Sequence, residues 1–483
     1  MKDLLLLTAC LLWVVGLFVG QHRNRHFLIG FLVLAGSVGA WHVGANEYRW
    51  QLAPAYLFLL LASLSAAVRL SGEPRKPAPR WRTVVLRSLL VVALVLALAL
   101  PIWLFPEIRY IEPSGPYAVG TRTEVWVDSS RSESMTPDPA DHRRLLVQIW
   151  YPADPSDAPR MRAHPNPGAL AHAMAQAAPG SPGFLFSGLG KGLTWAREGI
   201  PVTGAERSFP LLVFSHGFGA SRAMYGFTLA ELASRGYVVA AVEHTFFSTG
   251  TEFPDGQIVS LRTEDSNVLQ SDSSADAIAG IWARDGRFVI DRMFELDRND
   301  PLHLLAGRID TTRVGYWGHS FGGTTAANVM AFDRRVQAGI NLDGYLAGTA
   351  WVQGLDRPFL QVRSDSIDIE SLPEELLEQV GMSREKLRLM LEDWKVRTRS
   401  VIQSGGYDIH LAGSAHGNYS DIPLWSPTMS RMMQQGGPID PRRAHQVINA
   451  LTVEWFDRHL KGQGKTVEQV AELYPEVRIV GHP

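Results

Sequence analysis

The stretch Arg313-Val314-Gly315-Tyr316-Trp317-Gly318-His319-Ser320-Phe321-Gly322-Gly323 constrains this chain more than any other. Apolar residues lead into Gly-x-Ser-x-Gly, and the segment after it, Thr324 to Phe332, is rich in alanine and free of proline. That order predicts a strand, a sharp turn and a helix, the setting of a nucleophile elbow. A serine at such a turn has a strained backbone, and glycine at 318 and 322 removes the side chains that would collide there. The Ser320 hydroxyl then projects at a helix N-terminus, where backbone N–H groups face a developing negative charge. An ordinary glycine-rich turn has the same pentapeptide, so the rest of the chain decides between them.

At 483 residues the chain is expected to form two or three units. A single cysteine, Cys10, excludes a disulfide framework and a cysteine-built zinc site. A net charge of −2 argues against a nucleic-acid partner held by bulk charge. Neither a metal nor a cofactor is expected.

The first hundred residues are unlike the rest. Four apolar runs, about Leu4–Gly20, Phe27–Val43, Ala53–Leu70 and Leu86–Phe105, each approach the ~20 residues that cross a ~30 Å hydrocarbon core. They predict an all-α region of four transmembrane helices over 1–105, with a bundle of buried soluble helices as the alternative. Arg23 and Arg25 lie in the first loop, and Arg75, Lys76, Arg80 and Arg82 in the third. Basic loops stay inside, so the expectation is a multi-pass protein of the cytoplasmic membrane with residues 106–483 on the extracytoplasmic side.

That second part reads as an enzyme. Strands are predicted at Thr123–Val127, Arg144–Tyr151, Phe209–Phe214, Tyr237–Val242, Val336–Leu342, Pro358–Val362 and Tyr407–Leu411, with a helix-like Tyr225–Arg235. Strands alternating with helical segments indicate a mostly parallel sheet with helices on both faces, the α/β-hydrolase class. Segments 158–201 and 366–405 read as insertions or lids. The strand Phe209–Phe214 runs into Ser215-His216-Gly217-Phe218-Gly219, the His-Gly-x-Gly pattern of an oxyanion loop, about a hundred residues before the elbow. A serine needs a base, and the base an acid, in the chain order Ser, acid, His. Asp343 and Asp365 each end a predicted strand, and spacing leaves both open. His416, in a loop beyond the last strand, is the base candidate. His410 lies inside a strand, and His244 comes too early in the chain, although it is placed to line the pocket. His216 and His319 are read as supporting residues.

Phe214-Ser215-His216-Gly217-Phe218-Gly219, Ala241-Val242-Glu243-His244, Gly318-His319-Ser320-Phe321-Gly322-Gly323, Asn341-Leu342-Asp343-Gly344 and Gly413-Ser414-Ala415-His416 together resemble the plasma/isoform II platelet-activating factor acetylhydrolase family. Gly115–Gly120 and Val147–Pro152 resemble its entry segment, so the likeness covers roughly 110–460. The resemblance implies a calcium-independent serine esterase acting on short or oxidised acyl chains of phospholipids. It implies Asp343 rather than Asp365 as the acid, His416 as the base, and the N–H groups of Phe218 and Phe321 as oxyanion donors. The apolar N-terminal runs, and a charged helical segment at Leu372–Ser404, depart from the family pattern. A general short-chain or polyester (cutinase-like) esterase is the neighbouring expectation. A non-catalytic membrane protein using the fold as a binding module is the expectation of another class. The expected partners are a lipid or short-chain ester and the bilayer.

Overall fold

The structure is a computed structural model, and it describes residues 2–21, 24–44, 49–71, 79–164, 166–177, 182–188, 190–261, 272–365, 374 and 383–482. The chain divides into two compact units, Met1–Glu107 and Ile108–Pro483.

The first unit consists of helices α1 (Lys2–Val19), α2 (Arg25–Gly44), α3 (Ala53–Ser71) and α4 (Arg80–Leu104). Leu6, Trp13, Leu28, Phe31, Phe58 and Leu59 are buried among them, with the Trp13 and Phe31 rings 4.6 Å apart. Among the described residues, two helices are long and apolar enough to cross a membrane, Trp50–Ser71 and Trp81–Leu104. This corrects the expectation of four. The first helix is a shorter apolar segment, Asp3–Val19. The second, Arg25–Gly44, is not one of the two. The basic loop residues Arg23, Arg75 and Lys76 lie outside the described residues.

The second unit is built on one sheet. Its strands are β1 (Ala118–Ser132), β2 (His142–Ala153), β3 (Arg160–Arg162), β4 (Leu193–Glu198), β5 (Phe209–Ser215), β6 (Val238–Glu243), β9 (Ile309–His319), β10 (Val336–Leu342), β11 (Phe359–Arg363), β12 (Tyr407–Leu411) and β13 (Val477–Gly481). A separate two-stranded sheet pairs β7 (Gly250–Glu252) with β8 (Ile258–Ser260). The eleven strands run in the order β13-β12-β11-β10-β9-β5-β6-β2-β1-β4-β3. From β12 to β6 all neighbours are parallel, whereas β13 and β2 pair antiparallel at the two ends of that block. Side-chain alternation divides the core. Leu212 and Phe214 of β5 join the cluster on one face, and Leu211 and Val213 join the cluster on the other.

Helix α6 (Gly226–Ser234) and Pro441–Leu460 contribute Leu229, Leu232, Val447, Leu451 and Phe456 to the first face. Helices α7 (Asp272–Arg298) and α8 (Phe321–Phe332) contribute Val289, Ile290, Met293, Ala326 and Val329 to the second. Sequence reading missed α7, although Ala275, Ile278, Ala279, Trp282, Gly286, Val289, Ile290 and Met293 recur at helical spacing and are all buried. Segment 158–201, expected as an insertion, supplies β3 and β4 to the sheet edge, as well as α5 (Pro167–Ala177). Of 366–405, the helix Arg384–Ile402 is described; 366–373 and 375–382 lie outside the described residues.

After β5 the chain builds outward to β6, then returns to place β9, β10, β11 and β12 on the other side of β5. The strand order therefore reverses between β5 and β9. In open α/β sheets, the crevice beyond the carboxyl ends of two such strands is where sites form. Here β5 ends in Ser215 and β9 in His319, which brings the two glycine motifs together.

Candidate active site

Ser320 stands between β9 and α8 with φ 55° and ψ −124°, the strained conformation that the motif predicts. Close packing shows why its neighbours are glycines. A Cβ on Gly318 would stand 2.3 Å from the Gly322 backbone, and one on Gly322 would stand 2.0 Å from the Ser215 carbonyl oxygen. The turn is pinned from β10 by the Ser320 N–H, which donates to the Leu342 carbonyl at 2.7 Å.

His416 lies just past β12. Its Nε2 is 3.1 Å from Ser320 Oγ and its Nδ1 is 2.7 Å from Asp343 Oδ2. Asp343 follows β10 with φ 57°, and its carboxylate also accepts from the Ser364 N–H and hydroxyl, both at 2.6 Å. The carboxylate is thus aimed by three donors. Burial pulls the His416 pKa down, but the hydrogen bond and charge of Asp343 outweigh it and hold the pKa above the usual imidazole value. The His416 side chain is still 45% exposed, so the site is open to solvent at the base. Asp365, the competing acid, is engaged elsewhere. It accepts from the Gly413 N–H at 2.7 Å and bears on the loop that carries His416. His410 lies in β12 opposite Arg478 of β13.

Phe218 and Phe321 flank Ser320. Among the described residues, neither backbone N–H donates to a protein acceptor, so both are free to meet an oxyanion. A Cβ on Gly217 would approach Ser320 Cβ to 3.1 Å, so glycine lets the loop press against the nucleophile. The rings of Phe218, Phe247, Trp282 and Phe321 cluster beside these donors, with Trp282 and Phe321 edge to face at 5.1 Å. A water-excluding wall there strengthens any charge interaction at the serine.

His319 accepts a hydrogen bond from Tyr225 Oη at Nδ1 (2.9 Å) and donates one from Nε2 to the His416 carbonyl (3.0 Å). Burial, reinforced by the neighbouring His416, keeps its pKa far below the usual value. A neutral, fixed ring is thus bonded to the backbone of His416. Tyr225 also accepts from the Gly217 N–H at 3.1 Å. Tyr225 and Ser364 were not legible as site residues, because each reaches the site across the fold and neither sits in a motif. His244, expected to line the pocket, is instead wholly buried beneath it. It follows an interior strand, so its ring points into packing between sheet and α7 rather than into the crevice. No group of residues able to hold a metal ion occurs among the described residues.

A mostly parallel sheet with a strained serine at its switch point, hydrogen-bonded to a histidine and through it to an aspartate, defines an α/β-hydrolase. Residues 104–271 and 285–473 match the family platelet-activating factor acetylhydrolase, isoform II, and the chain belongs to that family. It is 24% identical over 384 residues to the platelet-activating factor acetylhydrolase of Cavia porcellus, a match covering 74% of this chain and 79% of that one. A probable 1-alkyl-2-acetylglycerophosphocholine esterase of Arthroderma benhamiae is 28% identical over 264 residues, covering 52% of this chain and 64% of its relative. Among solved structures, a ferulic acid esterase from Streptomyces cinnamoneus superposes with a TM-score of 0.61 at 29% identity. That match covers 78% of this chain and all of the esterase. The protein is a carboxylic ester hydrolase.

Proposed function

We propose that this is a membrane-anchored serine esterase that cleaves short or oxidised acyl groups from phospholipid-like esters. The chain Ser320 Oγ–His416 Nε2, His416 Nδ1–Asp343 carries the reading. Ser320 Oγ attacks the ester carbonyl as His416 Nε2 takes its proton. Asp343 holds the tautomer with hydrogen on Nδ1 and stabilises the imidazolium. The N–H groups of Phe218 and Phe321 receive the oxyanion, and His416 returns the proton to the departing alcohol. Water, deprotonated by the same base, then releases the acid from Ser320. The lipid substrate is supported by the family, whose named relatives act on such esters. Anchoring is supported by the two long apolar helices, and an extracytoplasmic catalytic unit by the basic loops of the sequence.

A second reading is an ester with an aromatic acyl group. The ferulic acid esterase, at higher identity than the lipid-cleaving relatives, and the aromatic cluster beside the oxyanion donors favour it. The test is labelling of the full chain with a fluorophosphonate, followed by turnover of glycerolipids of graded acyl length alongside a feruloyl ester. Labelling that disappears in Ser320→Ala, with rates falling as the acyl chain lengthens, is expected. A feruloyl ester cleaved fastest selects the second reading, and labelling that survives Ser320→Ala rejects both. Protease added to intact spheroplasts is expected to digest the catalytic unit; survival until the membrane is opened inverts the topology.

A further inference from the structure

Beneath the site lies a second set of polar side chains that the reaction does not use. Ser215 Oγ is 2.9 Å from His244 Nε2, and His244 Nδ1 is 2.9 Å from Asp285 Oδ2. All three residues are fully buried, so no substrate reaches this serine. Tyr316 Oη, on the strand that leads to Ser320, lies 2.8 Å from the same Ser215 Oγ. Asp285 is paired with Arg143 at 2.7 Å and Arg131 at 2.9 Å. Burial raises its carboxyl pKa, and the charge of Arg143 with the His244 hydrogen bond more than reverses this, so it stays ionised. Burial draws the His244 pKa down to about 4, so its ring is neutral.

Hydrogen positions follow from these partners. Ionised Asp285 only accepts, so His244 carries its hydrogen on Nδ1 and accepts from Ser215 at Nε2. Ser215 in turn accepts from Tyr316. The backbone of His244 extends the chain upward, because its N–H donates to His216 Nε2 at 3.1 Å. His216 therefore carries its hydrogen on Nδ1, which lies 2.7 Å from the Gly217 carbonyl oxygen. That carbonyl belongs to the same peptide plane as the Phe218 N–H. In a planar trans peptide the two point in opposite directions, so holding one aims the other. Neighbouring contacts brace the same loop. The Gly219 N–H donates to the Phe247 carbonyl at 2.8 Å, and buried Glu243 accepts from the Ser221 hydroxyl at 3.1 Å and from the Arg222 guanidinium.

We propose that His216, supported by the buried Asp285–His244–Ser215–Tyr316 chain, is a positioning residue that aims the Phe218 N–H at the oxyanion. The proposal rests on the serine-esterase reading above. It assigns no chemistry to Ser215 or His244. It makes the two conspicuous histidines of the Ser-His-Gly and Glu-His motifs parts of one device that fixes a single peptide plane.

The test uses the full-length protein, a water-soluble p-nitrophenyl ester and a trifluoromethyl ketone, which forms a tetrahedral oxyanion on an active serine. In His216→Phe, kcat is expected to fall roughly 10- to 10²-fold, up to the ~10²-fold cost of a misplaced group and below the ~10²–10³-fold cost of a deleted oxyanion donor. KM should stay within about twofold, because the donor acts in the transition state. Ketone affinity should fall by the same factor as kcat. His216→Asn, which restores an N–H near Nδ1, should recover part of both. Ser215→Ala and Tyr316→Phe should give smaller losses of the same kind. An unchanged kcat in folded His216→Phe overturns the proposal, as does a loss of kcat that ketone affinity does not follow. If His216→Phe does not fold, unchanged kcat and ketone affinity in Tyr316→Phe and Ser215→Ala overturn it. Ser320→Ala, run in parallel, separates the readings. If it stays active, the serine-esterase reading fails and the proposal fails with it; if it is inactive, the other variants test the positioning alone.

Discussion

Two Ser–His–Asp chains run through this molecule, built to nearly the same distances. In Ser320–His416–Asp343 the serine-to-histidine and histidine-to-aspartate separations are 3.1 and 2.7 Å. In Ser215–His244–Asp285 both are 2.9 Å. The first is open to solvent at its histidine and the second is wholly buried. Ser320 has a strained backbone at a helix start, whereas Ser215 ends an ordinary buried strand. His416 is open to solvent and its pKa is raised; His244 is stacked on Trp282 at 3.8 Å and its pKa is lowered to about 4. Asp343 is held by hydrogen bonds and can stabilise an imidazolium, whereas Asp285 has its charge shared with two arginines. Distances within a triad therefore do not define a nucleophile. Access, a base that can take up a proton, and donors for the oxyanion do.

The largest effect should separate the two serines. Ser320→Ala should lower kcat on the order of 10⁶-fold without shifting the thermal midpoint, while Ser215→Ala keeps most of the activity, as steady-state kinetics and unfolding curves would show. Equal losses would break the distinction. Next come the acids. Asp343→Asn should lower kcat roughly 10⁴-fold by favouring the wrong histidine tautomer. Asp285→Asn should act on folding instead, costing about 1–3 kcal/mol in denaturant titrations, because Arg143 keeps Glu133 but loses its second buried carboxylate. Asp365→Asn, which meets the loop that carries His416 and Arg478 rather than the histidine itself, should lower kcat less than about tenfold; a larger loss than for Asp343→Asn would exchange their roles.

The smallest effect concerns pH. The base must be neutral to act, so kcat/KM should fall as pH drops through the His416 pKa. Because Asp343 raises that pKa, the acid limb should lie above the ordinary imidazole value of about 6.5. Asp343→Asn removes the raising charge and leaves burial dominant, so the limb of the residual activity should move to lower pH. His244, neutral throughout this range, should contribute no second limb. A pH–rate profile that did not move in Asp343→Asn would show that another group titrates.

Much of this contrast was open to sequence reasoning, and one half of it was not. Gly-x-Ser-x-Gly after an apolar run carries its meaning locally, because the strain at Ser320 and the need for glycine at 318 and 322 are set within a few residues. The strand Phe209–Phe214 and its His-Gly-x-Gly are similarly legible, since a buried parallel strand is a continuous apolar run. Helix α7 was missed because its apolar positions are interspersed with Asp276, Arg284, Asp285 and Arg287, which mask the spacing. The apolar runs of the first unit announced helices correctly but overstated how many are long and apolar enough to span a bilayer.

By itself, then, the sequence pointed to Ser320 as the candidate nucleophile, to a candidate oxyanion loop and to the alternation of strands and helices, because each depends on neighbours in the chain. Spacing left Asp343 and Asp365 even, since both follow parallel strands and differ in what lies across the sheet, and only the family resemblance favoured Asp343. Only the tertiary structure turned Asp343 toward His416 and Asp365 toward Gly413. It also placed His244 under the site rather than in it, against an aspartate and a tryptophan on α7. The physical reason is the same in each case. A side chain's chemistry is set by burial and by partners from distant strands and helices, and those are fixed only when the sheet closes between β5 and β9.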